Sequence, residues 1–565
     1  YVRNEKNLGF VGGCNLGALK SAGQYVLFLN NDTFVLEGWL ESLLNTFEKQ
    51  EKVGLVGSKL VYPNGQLQEA GGIVWKNETG WNYGKFKDPN NYEFNYLKEV
   101  DYCSGASVIL PKALFDEIGG FDELYSPAYY EDTDLAFKVR RAGFKVIYQP
   151  KSELVHFEGI TAGKDIKKGL KQYQEINKSK FYSRWKDILD KENFADNEEK
   201  QFLARDRAKD KKVVLFMDNT TPTFDQDAGS FIAFEYLKIL KELGYKVIFW
   251  PHDLRKIESY ASSLQQEGIE VVYGSIKFSD FMEQNGNFID YTFVSRPNYA
   301  KKYIDTIRKY SSAKILYVAH DLHYLRETRE SEAAGEKKEF IKNINITKEL
   351  ERNAIESSDS ALFFSDKEVE IVKKEFSKSN PKIIPWIQPI NDLNKKSFSE
   401  RKGILFVGGF RHRPNIDAVK WLKNEIFPKI KKEIPDIIVS VIGSNPTKEI
   451  MNLKDEGFEI LGFVKDVDAN FEDARVFVAP LRFGAGFKGK IALSMSYGLP
   501  AVTTSIGSEG IGLVSGENSL IADDANEIAK QIMGLYKSED LWNKISQNSL
   551  KHIQENSKYF EISLT

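Results

Sequence analysis

Short apolar runs that end in polar or turn residues alternate with helix-type segments along nearly the whole chain, and such a chain folds into wound α/β sheets. Strands are predicted at 25–29, 53–58, 106–110, 146–149 and 154–156. A second series follows at 212–217, 246–250, 270–273, 291–295, 314–319 and 360–364. A third runs 403–407, 437–442, 458–461, 475–479, 501–504 and 519–521. Helices are predicted at 15–22, 38–50, 133–142 and 230–243, among others. Between the first two series, residues 165–210 are rich in Lys, Glu and Gln and read as the solvated helices of a connector. Pro381, Pro385 and Pro389 break any helix and mark a crossing between two lobes. The expected organisation is a first module at 1–164, the connector at 165–210, and Rossmann-like lobes at 211–394 and 395–565 that face a cleft.

The 565 residues allow three or four compact units. A net charge of −3, from 78 basic and 81 acidic residues, supplies no field for nucleic acid or an anionic membrane, so partners must be argued from sites. Cys14 and Cys103, far apart, read as small buried residues of a reducing compartment. No run reaches the roughly 18 apolar residues of a membrane span, and no basic segment followed by an apolar run opens the chain. The expectation is a cytoplasmic protein. The sequence opens on Tyr1-Val2-Arg3-Asn4 ahead of a helix, where an α/β domain begins with a buried strand, so the first module is expected to lack its first strands.

In that module the run 25–29 ends in Asn30-Asn31-Asp32, which suits a buried parallel strand emptying into a polar site. Hard cations take oxygen ligands or imidazole, and Asp32 lies where such a site belongs. His156 ends another strand, though a lone strand-end histidine is more often a structural hydrogen-bonding residue. In Tyr130-Glu131-Asp132-Thr133-Asp134, Thr133 reads as a helix cap and Asp134 as a first-turn acid that favours the helix dipole. Asp132, in the preceding loop, is then free to act as general base on a hydroxyl.

These residues, with Arg3-Asn4-Glu5-Lys6-Asn7-Leu8-Gly9-Phe10, Asn15-Leu16-Gly17 and Gly119-Gly120-Phe121-Asp122-Glu123, resemble glycosyltransferase family 2, inverting enzymes of the GT-A fold. The resemblance implies that Asp32 is the metal-binding residue of the family's DxD motif, with His156 as a further ligand of a manganese or magnesium ion. It implies Asp132 as the base that deprotonates the acceptor, and donor contacts from Asn7, Asn15 and Asn31. The DxD spelled by Asp132-Thr133-Asp134 sits at a helix start and is a decoy.

The second site candidate is Gly484-Ala485-Gly486-Phe487-Lys488-Gly489-Lys490-Ile491, which follows a strand and opens a helix. It satisfies the dinucleotide glycine pattern but follows the fourth strand of its lobe rather than the first, and Ile491 cannot replace the hydroxyl that a P-loop needs. What remains is the shared physics: glycines let amides approach an anion at a helix start, while Lys488, Lys490 and Arg482 add charge without a metal.

With Val407-Gly408-Gly409-Phe410-Arg411-His412-Arg413-Pro414-Asn415, 478–482 and 496–502, this loop resembles the C-terminal lobe of glycosyltransferase family 4, retaining enzymes of the GT-B fold. The resemblance implies donor contacts from Gly229, His412, Asn415, Arg482, Lys488 and Lys490, a catalytic His320 near the transferred sugar, and no metal. The two glutamates eight apart that many members carry are Ala485 and Leu493 here, so donor identity is not inherited.

The expected function is transfer of sugars from nucleotide-sugar donors to a glycan or lipid-linked glycan, in surface polysaccharide assembly, by a bifunctional enzyme with no membrane-spanning segment. Peripheral association would place it at the inner membrane face. The alternatives are a nucleotide-sugar or glycan binding protein with one inactive module, and a nicotinamide-dependent oxidoreductase, against which the misplaced glycine pattern argues.

Overall fold

The computed structural model describes residues 2–157, 172–335, 338–390 and 396–556. Residues 165–171 of the predicted connector and 391–394 of the predicted crossing lie outside the described residues. The chain divides into two compact units, Tyr1–Phe216 with Leu237–Asp290, and Met217–Tyr236 with Tyr291–Thr565.

The first unit holds a mixed sheet built from β1 (Tyr25–Leu29), β2 (Thr33–Val35), β3 (Val53–Val61), β4 (Leu67–Glu69), β7 (Lys98–Glu99), β8 (Ser107–Pro111) and β9 (Lys145–His156), while β5 (Gly72–Val74) and β6 (Gly80–Asn82) form a separate hairpin. Its order is β1-β8-β3-β9-β2, with β4 on β3 and β7 on β9. β3 runs parallel to β9, and all nine of its residues are buried. β1 corrects an expectation: it is antiparallel to β8 at the end of the order, and its burial alternates, with Val26 and Phe28 in the main core and Tyr25 and Leu27 half-buried against a smaller cluster. The two strands expected at 146–149 and 154–156 are the single β9. Its register on β3 shifts between Ser58 and Lys59, and Pro150, which has no amide hydrogen to offer the ladder, falls in that irregularity.

The expected solvated connector is instead part of this module. The helix Gln172–Glu192 sends Phe181, Trp185 and Leu189, spaced at i, i+4 and i+8, into the core. Further along, Arg205 and Asp206 are buried. Arg205 pairs with Glu93 at 2.9 Å and Glu270 at 2.5 Å, and Asp206 pairs with Lys246. Charges so enclosed persist only when paired. The first helix is Gly9–Lys20 rather than 15–22, because its glycine-rich start conceals the helical pattern.

A seven-stranded sheet follows, built from β10 (Val213–Asp218), β11 (Lys246–Pro251), β12 (Glu270–Val271), β13 (Tyr291–Ser295), β14 (Lys314–Ala319), β15 (Ser360–Phe363) and β16 (Pro381–Ile383), in the order β12-β11-β10-β13-β14-β15-β16. The last sheet holds β17 (Ile404–Val407), β18 (Val439–Ile442), β19 (Phe458–Gly462), β20 (Val476–Ala479), β21 (Ala501–Thr503) and β22 (Leu520–Ile521), in the order β19-β18-β17-β20-β21-β22. The paired registers of both are parallel. Both reverse direction beside their first strand, and ligands of open parallel sheets bind beyond the strand carboxyl ends near that point.

Candidate active sites

In the first unit Asp32 follows β1 and its carbonyl accepts the Phe157 amide at 2.9 Å, while β2 pairs Thr33 with His156. These bonds fasten the end of β9 to the turn after β1. They set His156 Nε2 3.4 Å from Asp32 Oδ1. On the other side of the ring, Nδ1 lies 3.1 Å from Gln68 Oε1 on β4. Gln68, which the sequence did not single out, thus holds the ring from the side opposite Asp32. Among the described residues no group of three or more His, Cys, Asp or Glu side chains gathers as a metal site. The carboxylate and imidazole that do meet form a donor set suited to a hard or borderline cation whose remaining ligands are phosphate oxygens or water.

Asp132 corrects a second expectation. The helix is Glu131–Arg141, so Asp132 lies in its first turn and Thr133 is not its cap. The helix starts early because Tyr129 and Tyr130 both take positive φ, +77° and +71°, a costly backbone for non-glycine residues. The fully buried Asn177 holds that turn, its amide donating to the carbonyls of Tyr125, Ala128 and Tyr129 at 2.9, 3.0 and 3.1 Å. Asp132 Oδ2 accepts from Gly105 N–H at 3.0 Å and Oδ1 from Thr133 N–H at 2.7 Å. Burial raises its pKa above the usual carboxylate range, against the lowering effect of those hydrogen bonds. The loop carrying Gly105 is joined to the Asp32 turn, since Asn30 N–H donates to Ala106 at 3.0 Å. Asp134 is wholly buried and bonded to Trp185 Nε1 at 2.8 Å, as expected of a structural acid.

The expected donor asparagines fall differently. Asn15 spends its amide on both backbone groups of Phe121, at 2.8 and 3.0 Å. Asn7 accepts from Gly9 N–H at 2.9 Å at the start of the first helix, and Asn31 is exposed in the turn after β1.

In the second unit the glycine loop precedes the helix Gly489–Ser496. Gly486 takes φ +68°, and a Cβ there would meet the His320 carbonyl at 2.5 Å, so only glycine lets the loop lie against the end of β14. On the other side, the position of a Gly229 Cβ lies 3.7 Å from His320 Nδ1. His320 thus stands between the glycine loop and the first turn of the helix Ala228–Glu242. Lys490 is bonded to Asn415 Oδ1, while Asn415 Nδ2 donates to Gly409 at 2.8 Å. Lys488 Nζ donates to the carbonyls of Ala485 and Gly486 at 3.1 and 2.6 Å.

Burial, and for Lys490 also the charge of Lys488, pushes Lys490 down to about 7; Lys488 is pushed down to about 8 by burial. His412, just before the helix Arg413–Trp421, is held well below its usual value by partial desolvation and then by Lys490, Arg326 and Lys488. Arg326, a further cation the sequence did not single out, is ion-paired with Asp321. Glu368 is buried with Oε1 on Leu322 N–H at 2.8 Å, and burial raises it to about 7. Arg482 is engaged elsewhere, its Nε donating to Asp417 Oδ2 at 2.9 Å.

The first grouping sets a carboxylate against an imidazole, which suits a cation, and the second sets lysines around glycines at a helix start, which suits an anion. Residues 1–118 match Glycosyl transferase family 2, and residues 401–538 match Glycosyl transferases group 1. The two matches support a fusion of a family 2 module with a group 1 module.

Among its relatives, the O-antigen biosynthesis protein RfbC of Myxococcus xanthus is 30% identical over 161 residues, 27% of this chain and 12% of that protein. An uncharacterized 44.6 kDa protein in the cps region of Klebsiella pneumoniae is 30% identical over 205 residues, 34% of this chain and 52% of that protein. The N-acetylglucosaminyl-diphospho-decaprenol L-rhamnosyltransferase of Mycobacterium tuberculosis is 26% identical over 152 residues, 25% of this chain and 49% of that protein. The chain therefore spans about half or less of the length of these relatives. Among solved structures, a sucrose-phosphate synthase from Thermosynechococcus elongatus aligns with 62% of this chain and 95% of its own, at 13% identity and a TM-score of 0.47. No helix among the described residues is long and apolar enough to cross a membrane.

Proposed function

We propose that the chain is a bifunctional glycosyltransferase whose two sites draw on nucleotide-sugar donors to extend a glycan, with a first module at 1–164 that the helices of 172–210 complete and a second at 211–394 with 395–565. The observation that carries this reading is the set of cations around the glycine loop. Lys488 and Lys490 are buried with neutral partners, a costly state that a diphosphate at the helix start would relieve. His412, Asn415 and Gly229 border the same space, and His320 serves there as the residue beside the transferred sugar. Arg482 contributes through its ion pair with Asp417.

In the first module Asp32 and His156 would hold manganese or magnesium, with Gln68 fixing the imidazole; such a cation supplies charge that neutralises a departing diphosphate. Asp132 takes the proton of the acceptor hydroxyl on a carboxylate oxygen, and burial, by raising its proton affinity, suits it to that work. Asn31 lies nearest Asp32 in sequence and is open to a donor, while Asn7 and Asn15 act by shaping the first helix and the 120–122 turn. The names of the relatives, O-antigen biosynthesis and a diphospho-decaprenol rhamnosyltransferase, support a surface-glycan acceptor on a lipid carrier. Such an acceptor places the work at the inner membrane face.

The test is a panel of UDP-, GDP- and dTDP-sugars scored by nucleoside diphosphate release, with and without chelator. One activity stopped by chelator and one that persists is the expected result. Release that resists chelator throughout refutes the metal role of Asp32 and His156, and donor binding without release from any donor leaves a binding protein.

A further inference from the structure

Asp218 ends β10 with its carboxylate buried. Oδ1 accepts from Asn219 N–H at 2.7 Å and from Arg296 Nε at 3.0 Å. Oδ2 lies 3.8 Å from His320 Nε2, a buried ring nitrogen with no hydrogen-bond partner of its own. Arg296 reaches the carboxylate from a left-handed backbone, φ +70°, directly before Pro297. A non-glycine residue rarely adopts that conformation, and it persists only where its surroundings enforce it. The opposite ring nitrogen, Nδ1, faces Gly229 in the first turn of the helix Ala228–Glu242, and the ring stacks on Phe364 with centroids 6.4 Å apart.

We infer that Asp218, steadied by Arg296, is a positioning residue that fixes the tautomer of His320. The carboxylate takes the hydrogen bond of Nε2–H after a small rotation of the ring, and Nδ1 then presents its lone pair to the side lined by Gly229. Burial alone would raise Asp218, yet the histidine beside it and the Arg296 guanidinium hold its pKa down to about 2, so it is an anion at every working pH. A fixed anion accepts and never donates, which is what the assignment of one tautomer requires. The Nδ1 lone pair is an acceptor for a hydroxyl of the sugar being transferred, so the second module should discriminate against donors whose sugar lacks that hydroxyl. That consequence rests on the reading of His320 as the residue beside the donor sugar, whereas the tautomer can be measured without any turnover.

The test uses the full chain with ¹⁵N-labelled histidine, at a pH where the ¹⁵N shifts themselves show a neutral ring, with the His320 signals assigned by their loss in His320→Gln. Long-range ¹H–¹⁵N correlation should show Nε2–H in the wild type, and Asp218→Asn should lose that preference. An Nδ1–H tautomer in the wild type overturns the proposal whatever the variants do. Where donor use can be assayed, Asp218→Asn should lower turnover at least ~10-fold, as expected when a histidine takes the wrong tautomer, and Asp218→Glu should recover part of it. Equal turnover in wild type and Asp218→Asn overturns the positioning role. A wild-type Nε2–H tautomer without any transferase activity would leave this inference standing and remove the functional reading instead.

Discussion

Lys490 offers the sharpest test, because its environment opposes the charge it is meant to carry. Its pKa falls from an ordinary value near 10.5 to about 7, chiefly through burial and then through Lys488. Each tenfold change in proton affinity is worth ~1.4 kcal/mol, so keeping the ammonium charged costs the empty fold on the order of 5 kcal/mol at acidic pH. The sign follows from linkage. Between about pH 7 and 10 the unfolded chain binds a proton at this lysine that the folded chain does not, so the penalty is fully present below the folded pKa and fades as pH rises through that interval. An anion at the helix start reverses the balance, since its charge favours the ammonium, and binding should draw in a proton above pH 7. Lys490→Met should therefore raise the melting temperature while weakening nucleoside diphosphate binding. One charge-assisted contact is worth about 1.5–3 kcal/mol, which is roughly a 10- to 150-fold loss of affinity. Calorimetry of nucleoside diphosphate binding to the full chain, in buffers of different ionisation enthalpy near pH 6.5, 7.5 and 8.5, measures both affinity and proton uptake. Wild-type affinity that is flat over this range, with no proton uptake and no change in Lys490→Met, would return the lysine to a structural role.

Asp132→Asn should lower turnover of the first module at least ~100-fold, the usual contribution of a general base, with donor affinity in calorimetry intact. Asn177→Ala removes the amide that holds the Tyr129–Tyr130 turn, so turnover of that module should fall ~10-fold or more, beyond any change in donor affinity, with a loss of about 1–3 kcal/mol in denaturant unfolding from the three unpaired carbonyls. Gly486→Ala places a methyl group against the His320 carbonyl and strains a positive-φ backbone, so nucleoside diphosphate affinity should fall at least ~10-fold while secondary structure measured by circular dichroism stays unchanged.

Features that rest on local chemistry were legible in the sequence. The alternation of strand and helix gave the three sheets, and the glycine loop was readable because glycine at φ +68° and lysines at a helix start leave a local signature. The Glu131–Arg141 helix was placed two residues late because nothing in Tyr129-Tyr130 announces positive φ; the distant Asn177 imposes it. The connector was read as solvated because its charges outnumber its aromatics, although the spacing of Phe181, Trp185 and Leu189 already described a buried face. Gln68 and Arg296 meet their partners only through tertiary structure, and no spacing along the chain relates 68 to 156 or 296 to 218. Asp218 could have been found. It ends the apolar strand Val213–Asp218 as Asp32 follows Tyr25–Leu29, and the argument that singled out the second acid applies equally to the first.

Under the proposed function the two modules meet one electrostatic problem, the departure of a diphosphate, with different materials. In the first, Asp32 and His156 place a carboxylate and an imidazole side by side, a donor set suited to a dication rather than to phosphate. In the second, Lys488 and Lys490 attract phosphate directly and would repel a dication, and their burial makes the empty site expensive to keep charged. The two activities should consequently respond to opposite variables: the first to free divalent cation, the second to pH between 7 and 8, where its lysines lose their protons. A pH profile of donor use by each module, taken at saturating cation, separates these dependences, and a second-module activity that rises across pH 7 to 8 would contradict the role given to its lysines.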